Sequence, residues 1–171
     1  QIDAEIETEL ERRLAEVRDI SPELVKVVTA MRELSHGGKR MRGLLTILGY
    51  QIAGGSKEGE SEIVRAAVIM ELFHLGLLVH DDIMDRDDLR RGVATVHARY
   101  GDRHTGEAMA ICAGDLTFGW GMEILATLKL PITNIQITNA TAVWGKYFSR
   151  VGYGQMLDVL QVADEASLLQ I

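Results

Sequence analysis

The run from Ala66 to His80 is so apolar, and so free of strand alternation, that it commits the chain to a fold organised around one long helix, and it closes on Asp81-Asp82-Ile83-Met84-Asp85. Five of the eight residues from Asp81 to Asp88 are aspartate. A helix carboxyl end carries the negative pole of the macrodipole, and like charges three or four positions apart repel, so the cluster costs stability unless a cation neutralises it. A divalent metal meets that need. At about 100° per residue, Asp81 and Asp85 share a helix face with Met70, His74 and Leu78, and Asp82 flanks that face. Convergent carboxylates suit Mg²⁺, which prefers oxygen ligands and takes one or two protein carboxylates together with waters and phosphate oxygens. A twelve-residue calcium loop begun at Asp81 fails, because Arg86 falls where glycine belongs and Gly92 where a bidentate glutamate belongs. A solvated acidic helix end is the remaining reading of such a cluster taken by itself.

Two basic segments weigh against that reading. Downstream lies Asp87-Asp88-Leu89-Arg90-Arg91-Gly92, and upstream Gly37-Gly38-Lys39-Arg40-Met41-Arg42-Gly43. Arginine binds phosphate through a fork of donors, lysine as a point charge, and glycines ahead of a helix expose backbone N–H groups. Both segments read as diphosphate grips. The upstream one is not a P-loop, since the G-x-x-x-x-G-K-[ST] spacing is absent. Taken alone, Gly37 is equally a helix stop followed by a basic helix start.

The rest of the chain reads as helix. Ile6, Leu10, Leu14 and Val17 mark one amphipathic stripe; Ser21-Pro22 caps a second helix carrying Leu24, Val27, Val28, Met31 and Leu34. A third helix is expected from about Lys39 to Ala53, then a loop from Gly54 to Gly59, with Ser61 opening the long helix that ends in the aspartates. Residues 89–102 look irregular. Helix resumes near Thr105, stops before Pro131, and continues through Ala140 to Leu160 across a glycine-interrupted stretch from Gly145 to Gly154.

Composition enters by exclusion. A net charge of −7 without accumulated basic residues argues against nucleic acid as a partner. The stretch from Ala66 to Val79 is shorter than the roughly 20 residues of a membrane span and carries Glu71 and His74, so no span is expected. A lone Cys112 offers no disulfide and points to a reducing, cytoplasmic setting. At 171 residues and 47% hydrophobic content, one globular domain over 1–171, or a large part of one, is the expectation.

Gly37-Gly38-Lys39-Arg40-Met41-Arg42, His74 ahead of Asp81-Asp82-x-x-Asp85, Arg90-Arg91-Gly92, Gly114-Asp115 and Gly154-Gln155-x-x-Asp158 together resemble the trans-prenyl diphosphate synthases, in order and spacing over essentially the whole chain. The resemblance implies an all-α, isoprenoid-synthase-type helical bundle with the active-site cavity between helices. It implies Mg²⁺ held by Asp81 and Asp85 with Asp82, and an allylic diphosphate gripped there by Arg90. Isopentenyl diphosphate would sit on Lys39, Arg42, His74 and Arg91, with Gln155 as a further substrate-binding residue, in a homodimeric enzyme. The family's second aspartate-rich motif is absent from this sequence, so the chain is expected to be the amino-terminal half to two-thirds of a larger domain. Gly43 stands where the family commonly has proline, a departure of little weight because proline makes no polar contact there.

Product length is expected to be set on the long helix. Ile69, Phe73, Gly76 and His80 form one stripe with Leu77 beside it. Leu77 and Gly76 occupy the positions where short-chain members carry aromatic residues, so Phe73 becomes the floor and geranylgeranyl diphosphate or a longer chain the product; Phe73 packing in the core is the competing reading. Asp115 reads as structural, His97 as a support for the Arg-Arg loop, and Asp158 equally as a tie between helices. A terpene cyclase has one diphosphate to bind, against which the second grip argues. A non-catalytic scaffold or regulatory subunit would have no need of clustered aspartates.

Overall fold

The computed structural model describes residues 1–130 and 133–160, and the chain forms two compact units, Gln1–Leu130 and Pro131–Ile171. The first unit holds five helices: α1 (Ile2–Arg18), α2 (Pro22–Ser35), α3 (Met41–Ile52), α4 (Glu60–Asp85) and α5 (Arg103–Thr127). A two-stranded antiparallel hairpin, β1 (Leu89–Arg90) and β2 (Val93–Ala94), lies between α4 and α5. The second unit consists, among the described residues, of α6 (Asn134–Leu160). The glycines from Gly145 to Gly154 do not interrupt it, and Trp144 stacks on Phe148 at 5.0 Å. All-helical architecture is thus the observed one.

The long helix is the spine of the first unit. α4 packs chiefly against α5 and α3, with α1 beside it. Leu72, Val68 and Val79 are fully buried, each contributing on the order of 1.5–3 kcal/mol relative to exposure. The expected stripes of α1 and α2 face this core: Ile6, Leu10, Leu14, Val27, Val28, Met31 and Leu34 are all buried. Between α4 and α5 the approach is close at Gly76, where an added Cβ would strike Thr117 and the Gly114 carbonyl, at Gly114, where it would strike the His80 ring, and at Gly121, where it would strike the Phe73 ring.

From Lys57 to Asp85 the helix is continuous enough and apolar enough to cross a membrane by length and composition, contrary to the shorter span read from the sequence. Its most apolar window is 56% buried inside the protein, which is the pattern of a core helix.

Several boundaries differ from expectation for local reasons. α3 begins at Met41, because Arg40 adopts a left-handed φ of 52° that no helix continues. α4 begins at Glu60 behind a short 3-10 turn, Lys57–Gly59, rather than at Ser61. α5 begins at Arg103, where Asp102 accepts from the Thr105 N–H at 2.8 Å as its cap. The stretch expected to be irregular contains the hairpin, whose turn places Arg91 (φ 53°) and Gly92 (φ 79°) both at positive φ, as a tight two-residue turn requires.

Candidate functional site

One cavity of about 310 Å³ opens where the segment before α3 meets α4, and Gly38, Lys39, Arg42, His74, Leu78 and Arg91 line it. Four residues expected to share one diphosphate therefore do meet. Lys39 and Arg42 come from either side of the α3 start, His74 from the middle of α4, and Arg91 from the hairpin turn. The hairpin also parts the two arginines: Arg91 Nη1 donates to the His36 carbonyl at 3.1 Å, on the cavity side, while Arg90 reaches the aspartates. His97, 3.7 Å from Asp88 and 3.4 Å from Thr95 Oγ1, braces this hairpin, and buried Thr95 donates to the Asp87 carbonyl at 2.9 Å. Asp115 lies 3.6 Å from His80 Nε2.

Electrostatics in the cavity favour an anion. Burial lowers the His74 pKa below its ordinary value, and Arg42, Arg91 and Arg90 push it further the same way against Glu71. The cavity therefore disfavours the charged form of the imidazole.

At the end of α4, Asp81 is half-buried and Asp85 exposed, one turn apart on the same face. Asp82 departs from expectation: instead of flanking that face as a third metal ligand, it turns inward and is 1% exposed. Arg90 Nε donates to its Oδ1 at 2.6 Å, and Arg90 Nη2 lies 2.6 Å from the same oxygen and 3.4 Å from Asp81 Oδ2. Burial pushes the Asp82 carboxyl up, Arg90 opposes that, and Asp81 and Asp87 add to it. A helix that is apolar on most sides presents no single outward face, so register alone did not reveal which aspartate enters the core. Two oxygen ligands remain on the outer face, a set that fits Mg²⁺ completed by water and phosphate oxygens. Among the described residues no group of three or more histidine, cysteine, aspartate or glutamate side chains is gathered for a metal.

Three residues escaped the sequence reading. Glu71, 8% exposed, accepts the Gly43 N–H at Oε1 (2.8 Å), and its Oε2 lies 3.7 Å from Arg40 Nη1. Gly43 thus makes a polar contact that proline could not, and its departure is not minor; a Cβ there would also press on Ile2 at 3.0 Å. Arg40 is absorbed internally, donating from Nε to Asp3 at 2.6 Å and from Nη2 to the Ser35 carbonyl at 2.8 Å. The available signal was a carboxylate in an otherwise apolar run, one turn before His74.

The expected chain-length residues lie on the α5 side of α4. Phe73 is 4% exposed and stacks on Phe118 with ring centroids 5.5 Å apart, Gly76 lies against Thr117, and Leu77 is half-buried. Gln155 is half-buried on α6, in the second unit.

The profile of the polyprenyl synthetase family matches residues 25–170. The chain belongs to that family. A geranylgeranyl diphosphate synthase of Methanosarcina mazei is 38% identical over 123 residues, which is 72% of this chain and 35% of that one. A geranylfarnesyl diphosphate synthase of Aeropyrum pernix is 37% identical, covering 72% of this chain and 37% of its own. Among solved structures, the geranylgeranyl pyrophosphate synthase of Corynebacterium glutamicum, determined with isoprenyl diphosphate and magnesium, superposes with a TM-score of 0.78 at 26% identity, over 91% of this chain and 47% of that one. This polyprenyl synthetase chain spans about a third of the length of the curated relatives it matches.

Proposed function

We propose that the protein condenses an allylic diphosphate with isopentenyl diphosphate, the product being geranylgeranyl diphosphate or longer. The observation that carries this reading is the convergence of Lys39, Arg42, His74 and Arg91 on one cavity, with the Asp81–Asp85 face further along the same helix. Two diphosphate-binding sites along one helix suit two diphosphate substrates; a cyclase would need one.

In this reading Lys39, Arg42 and Arg91 clamp the diphosphate of isopentenyl diphosphate, and neutral His74 donates a hydrogen bond to it. Arg90, fixed by Asp82, would offer the allylic diphosphate its Nη1, the guanidinium nitrogen that neither aspartate contact uses. Asp81 and Asp85 would hold Mg²⁺, which when bound supplies neutralisation of diphosphate charge. The allylic C–O bond breaks with its electron pair leaving on diphosphate, whose charge the remaining Nη1 donor of Arg90 helps to stabilise. The double bond of isopentenyl diphosphate then attacks the allylic carbon, and loss of a proton from the adjoining carbon to the released diphosphate restores a double bond. No side chain acts as nucleophile.

The same reading makes the enzyme a cytoplasmic homodimer, for which Ile111, Leu116 and Met122, exposed on α5, offer apolar surface. Incubating the natural gene product with isopentenyl diphosphate, an allylic diphosphate and Mg²⁺, with chromatography of the products, tests the reaction. Binding of both diphosphates without a longer prenyl product would refute it.

A further inference from the structure

We propose that Glu71 is a positioning residue for the diphosphate cavity, acting through the Gly43 N–H and the Arg40 guanidinium; the inference rests on the reading of that cavity given above.

The first N–H groups of a helix have no partner within it. α3 receives no side-chain cap from its own N-cap residue, because Arg40 has no acceptor to offer. The missing acceptor comes from the neighbouring helix. Glu71 Oε1 takes the N–H of Gly43, in the first turn of α3, at 2.8 Å in a buried setting, and brings negative charge to the positive end of the helix. Its Oε2, 3.7 Å from Arg40 Nη1, neutralises a guanidinium that is itself 12% exposed.

Arg40 sits at φ 52°, a conformation that L side chains hold only when their surroundings fix it. Glu71, Asp3 and the Ser35 carbonyl do so together. Gly38 is shaped by the same guanidinium, since a Cβ there would meet Arg40 Nη1 at 2.9 Å. The middle cation of the basic segment is thereby consumed as a staple. Lys39 and Arg42, on either side of it, stay exposed and line the cavity. Glu71 also precedes His74 by one helical turn, so a single carboxylate sets the spacing between the α3 grip and the α4 imidazole.

The test compares Glu71→Gln, Glu71→Asp and Glu71→Ala in the full chain, with inorganic diphosphate and isopentenyl diphosphate as probes in titration calorimetry. Glutamine keeps an acceptor within reach of Gly43, whereas aspartate keeps the charge but is one methylene too short. Glu71→Asp and Glu71→Ala are expected to weaken diphosphate binding about tenfold or more, with Glu71→Gln within about threefold of wild type, the loss following from a buried donor left unpaired. Hydrogen exchange at the Gly43 amide should accelerate in the same order. In steady-state assays the loss should fall on the KM for isopentenyl diphosphate, with kcat and the allylic KM little changed. Wild-type affinity in a folded Glu71→Asp or Glu71→Ala, with only the melting temperature lowered, would overturn the proposal by showing a purely structural role. Failure of the underlying reading shows itself in a different measurement: wild type and Lys39→Ala would then bind diphosphate alike, and the inference would fall with it.

Discussion

Asp82 Oδ1 and Arg90 Nε lie 2.6 Å apart, joining the last turn of α4 to the first strand of the hairpin. The aspartate is 1% exposed and the arginine side chain 21%. This pair divides the labour within the aspartate cluster. Asp82 holds the arginine in place, and Asp81 and Asp85 stay on the outer face. Asp82 Oδ2 is buried without a hydrogen-bond partner, so the carboxylate depends on Arg90 for nearly all of its compensation.

Removing Asp82 leaves a part-buried guanidinium with only its longer contact to Asp81, at a cost of about 1.5–3 kcal/mol for the charged hydrogen bonds lost. Asp82→Ala is therefore expected to lower the melting temperature sharply, read by circular dichroism. Asp85→Ala should leave it unchanged or raised, since it relieves repulsion at a helix carboxyl end. Equal melting temperatures for the two variants would show that Asp82 is not a structural anchor.

The outer-face aspartates carry the opposite expectation. Asp81→Ala or Asp85→Ala should abolish Mg²⁺-dependent turnover of the allylic diphosphate while the helical signal is retained, and chelation of Mg²⁺ should do the same to wild type. Full turnover in either variant would remove that residue from the metal set.

His74 gives a pH signature. Its pKa is lowered in the fold, first by burial and then by Arg42, Arg91 and Arg90, so below the ordinary value of 6.5 the unfolded chain binds the proton more readily. The stability contributed by the neutral imidazole is complete above that value and is lost as pH falls through the folded pKa. A His74→Asn variant should flatten this limb of the stability profile. Inorganic diphosphate, entering beside the imidazole, should move the His74 pKa upward in a ¹⁵N-histidine titration. No movement would place the anion elsewhere.

Much of this was legible because apolar periodicity reports helices directly. Ile6, Leu10 and Leu14, and Val27, Met31 and Leu34, fall on buried stripes, and Lys39, Arg42, His74 and Arg91, grouped by the family resemblance and not by periodicity, line one cavity. The hairpin was not legible, since its two-residue strands are too short to show alternation and its turn begins on an arginine at positive φ. The inward turn of Asp82 was hidden by a helix without a polar side. Glu71 needed a partner, the Gly43 amide, that only tertiary packing brings to it. In α3, Leu44, Leu45, Leu48 and Ile52 are exposed in the structure.

The two diphosphate grips should separate kinetically. Lys39→Ala is expected to raise the KM for isopentenyl diphosphate well above any change in the allylic KM, because its ammonium lines the α3 cavity and not the aspartate face. Equal effects on both substrates would mean that the grips are exchanged or shared.

Product length depends on what stops a tail growing away from Asp81. Gly76 leaves no side chain at the position one turn before His80, and Phe73 is the next bulky group back along that stripe. Three residues of helix rise about 4.5 Å, close to one isoprene unit, so moving the floor from Gly76 to Phe73 adds about one unit to the product. Phe73 does not stand alone there: its ring stacks on Phe118 of α5 and fills the space that Gly121 leaves open. Truncating it removes half of a stacked pair and opens a cavity toward α5, at a stability cost of about 3–5 kcal/mol. Phe73→Ala should therefore melt earlier and release longer prenyl chains than wild type. Phe73→Leu, which keeps most of the volume, should shift the distribution less. Chromatography of the products decides the matter. An unchanged distribution in a folded Phe73→Ala enzyme would confine Phe73 to core packing and move the floor to another helix.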